Sequence, residues 1–143
     1  MLLFNQAKGR NVVGLATAET LATVTGLAIT PSPGRVAALR LKTKSRGTLV
    51  TWNRLQAFGR DAVTVRSAAD FQTEDDISIP ADKQHDPIGK RVLTETGKDL
   101  GPVQDIEFDE TTGHIQRLIT ADRDVPGDLI LGAGSYAVVV AAR

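Results

Sequence analysis

The sequence predicts an all-β protein: two tandem small barrels packed on each other with approximate two-fold symmetry. Three observations predict it. Apolar and polar residues alternate over short runs, broken by turn residues about every 8–12 positions. No segment carries a long apolar period of the helical kind. The chain also repeats itself. LATVTGLAITPSPGRVAAL (21–39) aligns without a gap on LGPVQDIEFDETTGHIQRL (100–118), an offset of 79. Leu21, Val24, Leu27 and Ile29 fall on Leu100, Val103, Ile106 and Phe108; Gly34, Val36 and Leu39 fall on Gly113, Ile115 and Leu118.

Two further matches flank that one, in the same order. Upstream, Gly9-Arg10-Asn11-Val12 sits against Gly89-Lys90-Arg91-Val92. Downstream, AVTV (62–65) echoes AVVV (137–140). The expected organisation is a first unit over 1–66, a linker over 67–85 and a second unit over 86–143. A unit of about 60 residues is too small for two packed sheets, so a strongly curled barrel of five or six short strands is the natural solution. Such a unit buries only about 60% of its unfolded surface, which predicts that the two pack together. Leu39 and Leu41 alternate with Arg40 and Lys42; Ile106 and Phe108 alternate with Asp105, Glu107 and Asp109. Phe108 is therefore expected in the core. Gly14, Gly26, Gly101 and Gly113 suit bends and turns. The linker is polar and acidic, with Ile77 and Ile79 expected to be pinned to a barrel surface.

Composition narrows the classes of function. Hydrophobic content of 41% and charged content of 24% are ordinary for a globular protein. Without cysteine there is no disulfide, thiol chemistry or thiolate metal site. No apolar run nears the ~20 residues of a membrane span. The opening Met-Leu-Leu-Phe is too short for a secretory apolar region, so a bacterial-type cytoplasmic protein is expected. Net charge is zero, but residues 1–66 carry ten Lys/Arg against Glu19 and Asp61, and the remainder carries the opposite excess. Such asymmetry suggests that one half faces an anion or that the halves attract each other.

The second unit carries a recognisable pattern: Gly89-Lys90-Arg91-Val92, a turn at Thr96-Gly97, Gly101-Pro102-Val103-Gln104-Asp105-Ile106-Glu107-Phe108-Asp109, then Thr112-Gly113-His114-Ile115. It resembles the PRC-barrel family. The first unit departs from that pattern, with Ala22, Gly26 and Thr30 where the second has Gly101, Asp105 and Asp109. It keeps Trp52-Asn53, similar to the family's Pro-Trp-Ser segment before the last strand. The resemblance implies two PRC-like barrels and a non-enzymatic protein-interaction or adaptor module. The family includes the cytoplasmic domain of the photosynthetic reaction-centre H subunit and the C-terminal domain of the bacterial ribosome-maturation factor.

Candidate chemistry is sparse, and no catalytic residue, metal or cofactor is expected. Asp105, Glu107, Asp109 and Glu110 with His114 do not have calcium-loop spacing, since Thr111 and Gly113 stand where ligands are needed. Alternating strand carboxylates lie ~7 Å apart and spread their charge over water. Asp109 to Gly113 reads as a hairpin loop. His85 and His114 read as unrelated surface residues. Gly132 to Tyr136 lacks the closing glycine of a nucleophile elbow. Gly9 to Gly14 has phosphate-loop spacing, but Leu15-Ala16 stands where Lys-Ser/Thr is required.

The most suggestive stretch is basic. Arg40, Lys42, Lys44 and Arg46 line one face if the strand runs on through the turn. Three roles are open: a solvated face, docking against the acidic unit within one chain or in a homodimer, or contact with RNA or an anionic surface. The scarcity of aromatics, 4% of the chain, weakens stacking on nucleic acid. Trp52, the sole tryptophan, is either a barrel-closing aromatic or an exposed interface anchor. Arg40, Lys42, Lys44, Arg46 and Trp52 are thus the candidate partner-binding residues.

Overall fold

The computed structural model describes residues 1–44 and 46–142 and is predominantly β. β1 (Leu2–Leu3) leads into a single short helix, α1 (Phe4–Ala7). There follow β2 (Asn11–Gly14), β3 (Glu19–Thr30), β4 (Arg35–Thr43), β5 (Leu49–Thr51), a 3-10 turn (Trp52–Arg54), β6 (Ala57–Phe58) and β7 (Ala62–Val65). After three more 3-10 turns come β8 (Arg91–Thr94), β9 (Asp99–Pro102), β10 (Asp105–Phe108), β11 (Ile115–Ile119) and β12 (Asp124–Pro126). A 3-10 turn (Gly127–Leu129), β13 (Ile130–Ala133) and β14 (Ala137–Val140) complete the chain.

The first half forms one curled six-stranded sheet, ordered β5-β4-β3-β2-β7-β6. The second half forms two four-stranded sheets, β13-β14-β8-β9 and β1-β10-β11-β12. The first sheet is a half-barrel. Its end strands β5 and β6 are joined by the 3-10 turn at Trp52 rather than by a ladder among the described residues. The same pairings recur in both halves. β2 pairs antiparallel with β3 and parallel with β7, as β8 does with β9 and β14. Ala28 opposes Ala38 and Ile29 opposes Val36, across a bulge. Glu107 opposes Arg117 and Phe108 opposes Ile115, across the same bulge.

Bulges explain how one long strand keeps its apolar residues inward. Along β3 the buried positions are Ala22 and Val24, then Leu27 and Ile29. Strict alternation would turn Leu27 outward, but the irregularity between Val24 and Gly26 inserts one residue and restores the inward face. In the second half Val103, Ile106 and Phe108 make the same step.

A single main core results. Phe4, Val12, Val24, Leu27 and Val63 from the first half cluster with Val92, Ile106, Phe108, Leu118 and Val138 from the second. Phe108 is fully buried, as its alternation predicted. Two backbone bonds join the hairpin turns of the halves: Val36 N–H donates to the Gly113 carbonyl and Ile115 N–H to the Gly34 carbonyl, both at 2.8 Å. β1 crosses over and pairs with β10, Leu2 opposite Phe108.

Residues 67–86 lie on the molecule as a strap. Gln72 exchanges both backbone bonds with Leu49, extending the β5 edge. Ile77 and Ile79 pack against Ala28, Ala38, Leu49 and Ala81, the attachment expected for them. No helix among the described residues is long and apolar enough to cross a membrane.

Candidate functional site

Among the described residues, Arg40 is the predicted cation that enters a built hydrogen-bonded arrangement. Its guanidinium lies across Gly26, where a Cβ would fall 2.0 Å from Nη2. Nη2 meets Asp86 Oδ2 at 2.9 Å, and Nη1 donates to the Asp82 carbonyl at 3.3 Å. Asp86 accepts in addition from Leu27 N–H at 3.4 Å and, on its other oxygen, from Ile88 N–H at 2.9 Å. The two side chains are 17% and 14% exposed, so their attraction is screened far less than that of a surface pair. The charge asymmetry of the sequence is therefore partly satisfied within the chain.

β4 ends at Thr43, so Lys44 and Arg46 lie beyond the strand and no single four-cation row forms. Ser45, inside that run, lies outside the described residues. Lys42 and Lys44 are exposed and flank a shallow, largely apolar hollow that includes Leu21 and Ala22. Arg46 is exposed as well.

Arg40 and Asp86 belong to a different grouping. Together with Lys8, Lys83, Lys90 and Thr25 they line a cleft of about 560 Å³. Lys8 follows α1, Lys83 sits on the strap's 3-10 turn (Lys83–His85), and Lys90 immediately precedes β8. The sequence reading missed Lys8, Lys83, Lys90 and Asp86. One signal was present: the opening glycine of each repeat has a cation beside it, in Lys8-Gly9-Arg10 and in Gly89-Lys90.

Trp52 is half-buried at the junction of the halves. It stacks on Phe58 at 5.7 Å and meets Phe108 edge-on at 6.0 Å. Its ring would contact a Cβ at Gly113 at 3.0 Å, and Gly113 has φ +78°, so a glycine is required there on two counts. The face of the tryptophan is largely occupied from within.

The carboxylate run is dispersed over separate partners. Asp105 accepts from Asn5 N–H at 3.0 Å, Glu107 meets Arg117 Nε at 3.1 Å, and Asp109 caps its own turn through Thr111 N–H at 2.7 Å. Glu110 meets the amino group of Met1 at 3.0 Å; that hydrogen bond holds the carboxyl below and the amine above their ordinary values. Arg117 also pairs with Asp124, and hydrogen bonds to Glu107 and Asp124 raise its pKa. On the strap, the backbone N–H and then the hydroxyl of Thr73 hold the Asp76 carboxyl below the usual range, with Arg54 and Arg46 adding to the effect. The histidines are engaged apart, His85 with Asp82 and His114 with Asp128.

At the β13–β14 hairpin, Tyr136 and Leu131 are 68% and 46% exposed. The Arg91 guanidinium lies 5.2 Å from the Tyr136 ring centre. A family model described as the PRC-barrel domain matches residues 80–140. No curated protein matches the chain.

Proposed function

We propose that this chain, whose residues 80–140 match the PRC-barrel domain, is a pair of such barrels related by an approximate two-fold axis and works as a cytoplasmic, non-enzymatic adaptor that binds another protein. The reciprocal bonds across the junction support the two-fold relation, since Val36 and Ile115, like Gly34 and Gly113, are equivalent positions of the repeat.

The observation that carries the adaptor reading is the β13–β14 hairpin. Tyrosine and leucine are both exposed on this hairpin, the Arg91 guanidinium lies against the tyrosine ring, and β14 pairs with β8. Tyrosine and arginine are the side chains that dominate protein interfaces, and a rigid sheet presents them at little entropic cost. The test is affinity capture from native cells with the intact chain and with Tyr136→Ala. The reading expects a stoichiometric protein partner that the substitution removes. Identical captured sets from both proteins would refute it.

A second reading, RNA or anionic-surface binding, draws on the exposure of Lys42, Lys44 and Arg46. It expects RNA binding that weakens steeply with salt and is lost in Lys42→Glu/Lys44→Glu. Binding unaffected by that double change, or absent at low salt, removes it.

A further inference from the structure

We infer that the cleft lined by Lys8, Arg40, Lys83 and Lys90 is a binding site for a small molecule bearing a phosphate or pyrophosphate group. Four cations from four segments of the chain converge there with one carboxylate, Asp86. That carboxylate is already committed to Arg40 and to two backbone N–H groups. Lys8, Lys83 and Lys90 form no ion pair among the described residues. Like charges gathered around a concavity repel one another and focus a positive potential into it. An anion with more than one charge relieves that repulsion, and a single carboxylate would leave much of it in place.

The repeat shows that the fold itself does not demand Arg40, Asp86 or Lys83. β11 pairs Ile119 with Asp105 and Asp124 with Ile119, just as β4 pairs Arg40 with Gly26 and Leu49 with Arg40. Ile119 therefore stands in the place of Arg40. Counting back from Gly89 and Gly9, both at φ +86° and both bonded to the equivalent valine carbonyl, Gln6 and Leu3 stand in the places of Asp86 and Lys83. At these three places the other copy carries apolar or neutral side chains, whereas the place of Lys90 keeps a cation, Arg10. A largely buried ion pair is a weak source of stability, so its presence in one copy alone points to use.

The cleft also indicates what is recognised. Its volume falls within the range of small-molecule sites. Ammonium and guanidinium groups, with the Thr25 hydroxyl as a further donor, match phosphate oxygens. No aromatic side chain lines it, so a nucleobase has no stacking platform and recognition rests on the phosphate. The cations surround a hollow rather than forming a stripe, which fits a compact ligand better than a polynucleotide backbone.

Titration of the full chain with inorganic pyrophosphate tests this, followed by calorimetry and by backbone amide NMR shifts. The site predicts saturable one-to-one binding with shifts centred on Lys8, Thr25, Lys83 and Lys90. Lys83→Gln/Lys90→Gln, which alters two solvent-facing ammonium groups, weakens binding by at least about tenfold through loss of charge-assisted bonds. Lys42→Gln/Lys44→Gln, away from the cleft, leaves the affinity unchanged. Shifts absent or spread over the surface, or equal weakening by both double changes, would overturn the proposal. So would a single-stranded RNA that displaces pyrophosphate at equal phosphate concentration.

Discussion

Ala28, Ala38 and Leu49 occupy the outer face of the first half; Glu107, Arg117 and Asp124 occupy the same ladder positions in the second. The inner faces barely differ, with Val24, Leu27 and Ile29 answering Val103, Ile106 and Phe108. Outside, one face is small and apolar and lies under the strap. The other is a charged row, Glu107 to Arg117 to Asp124, open to water. Strand pairing and inward packing thus define the unit. The outer residues decide whether the chain folds over it. Burying Leu49 contributes about 1.5–3 kcal/mol, and it acts alongside the Gln72–Leu49 backbone bonds and the Arg40–Asp86 ion pair in holding the strap.

The shared interior gives the largest expected effect. Phe108 touches Phe58 of the first half at 5.3 Å and Trp52 at 6.0 Å. Phe108→Ala should cost about 3–5 kcal/mol. Because the core is continuous, Trp52 fluorescence and far-ultraviolet dichroism should shift together in urea. Separate transitions would mean two independent cores.

Exchanging outer residues comes next. Ala28→Glu places the second half's carboxylate under the strap, where it has no cation opposite, and burying it unpaired is prohibitive. The strap should detach, exposing residues 67–86 to limited proteolysis. Glu107→Ala, the reverse change, should leave the cleavage pattern and the unfolding midpoint nearly unchanged. A strap that stays protected in Ala28→Glu would refute the idea that outer-face chemistry holds it.

A smaller difference lies in the first turn of each repeat. Ala18 has φ +56° where the second half has Gly97 at φ +88°. Left-handed backbone costs a non-glycine residue about 1–2 kcal/mol, so Ala18→Gly should stabilise by about 0.5–1 kcal/mol net of its added chain entropy. Gly97→Ala should destabilise. Thermal midpoints moving the other way would mean that the turns are not equivalent.

The smallest effect is a pH response of the strap. Asp76 is held below the ordinary carboxylate range, chiefly by the Thr73 N–H. Its contribution is in full force above the unfolded carboxylate pKa and fades as pH falls through the lower, folded one. Acidification should therefore speed amide exchange at Thr73 and Ile77, after correction for intrinsic rates, before exchange rises in β10 and β11. A uniform response would contradict it.

The sequence disclosed what is periodic and local. Alternation placed Phe108 inside, the repeat predicted equivalent strands, and two isoleucines in a polar stretch marked the strap's anchor. Contacts across long separations left no such trace. The crossing of β1 to β10 rests on two leucines that read equally well with either half. Arg40 reads as an outward cation by alternation. Its real setting depends on a missing side chain at Gly26 and on a carboxylate 46 residues away. Lys8, Lys83 and Lys90 come from three segments, and only folding makes them neighbours. A four-cation row required β4 to run on through the turn, but β4 ends at Thr43, and alternation carries no information on where a strand stops.

The amides of Val36 and Ile115 test the repeated-unit account most directly. Each donates across the junction to the glycine that opens the other's strand, at the same 2.8 Å. In native-state hydrogen exchange both should be protected to the same degree and open only with global unfolding. Fast exchange at both, or protection at one with free exchange at the other, would contradict two equivalent halves joined through one core.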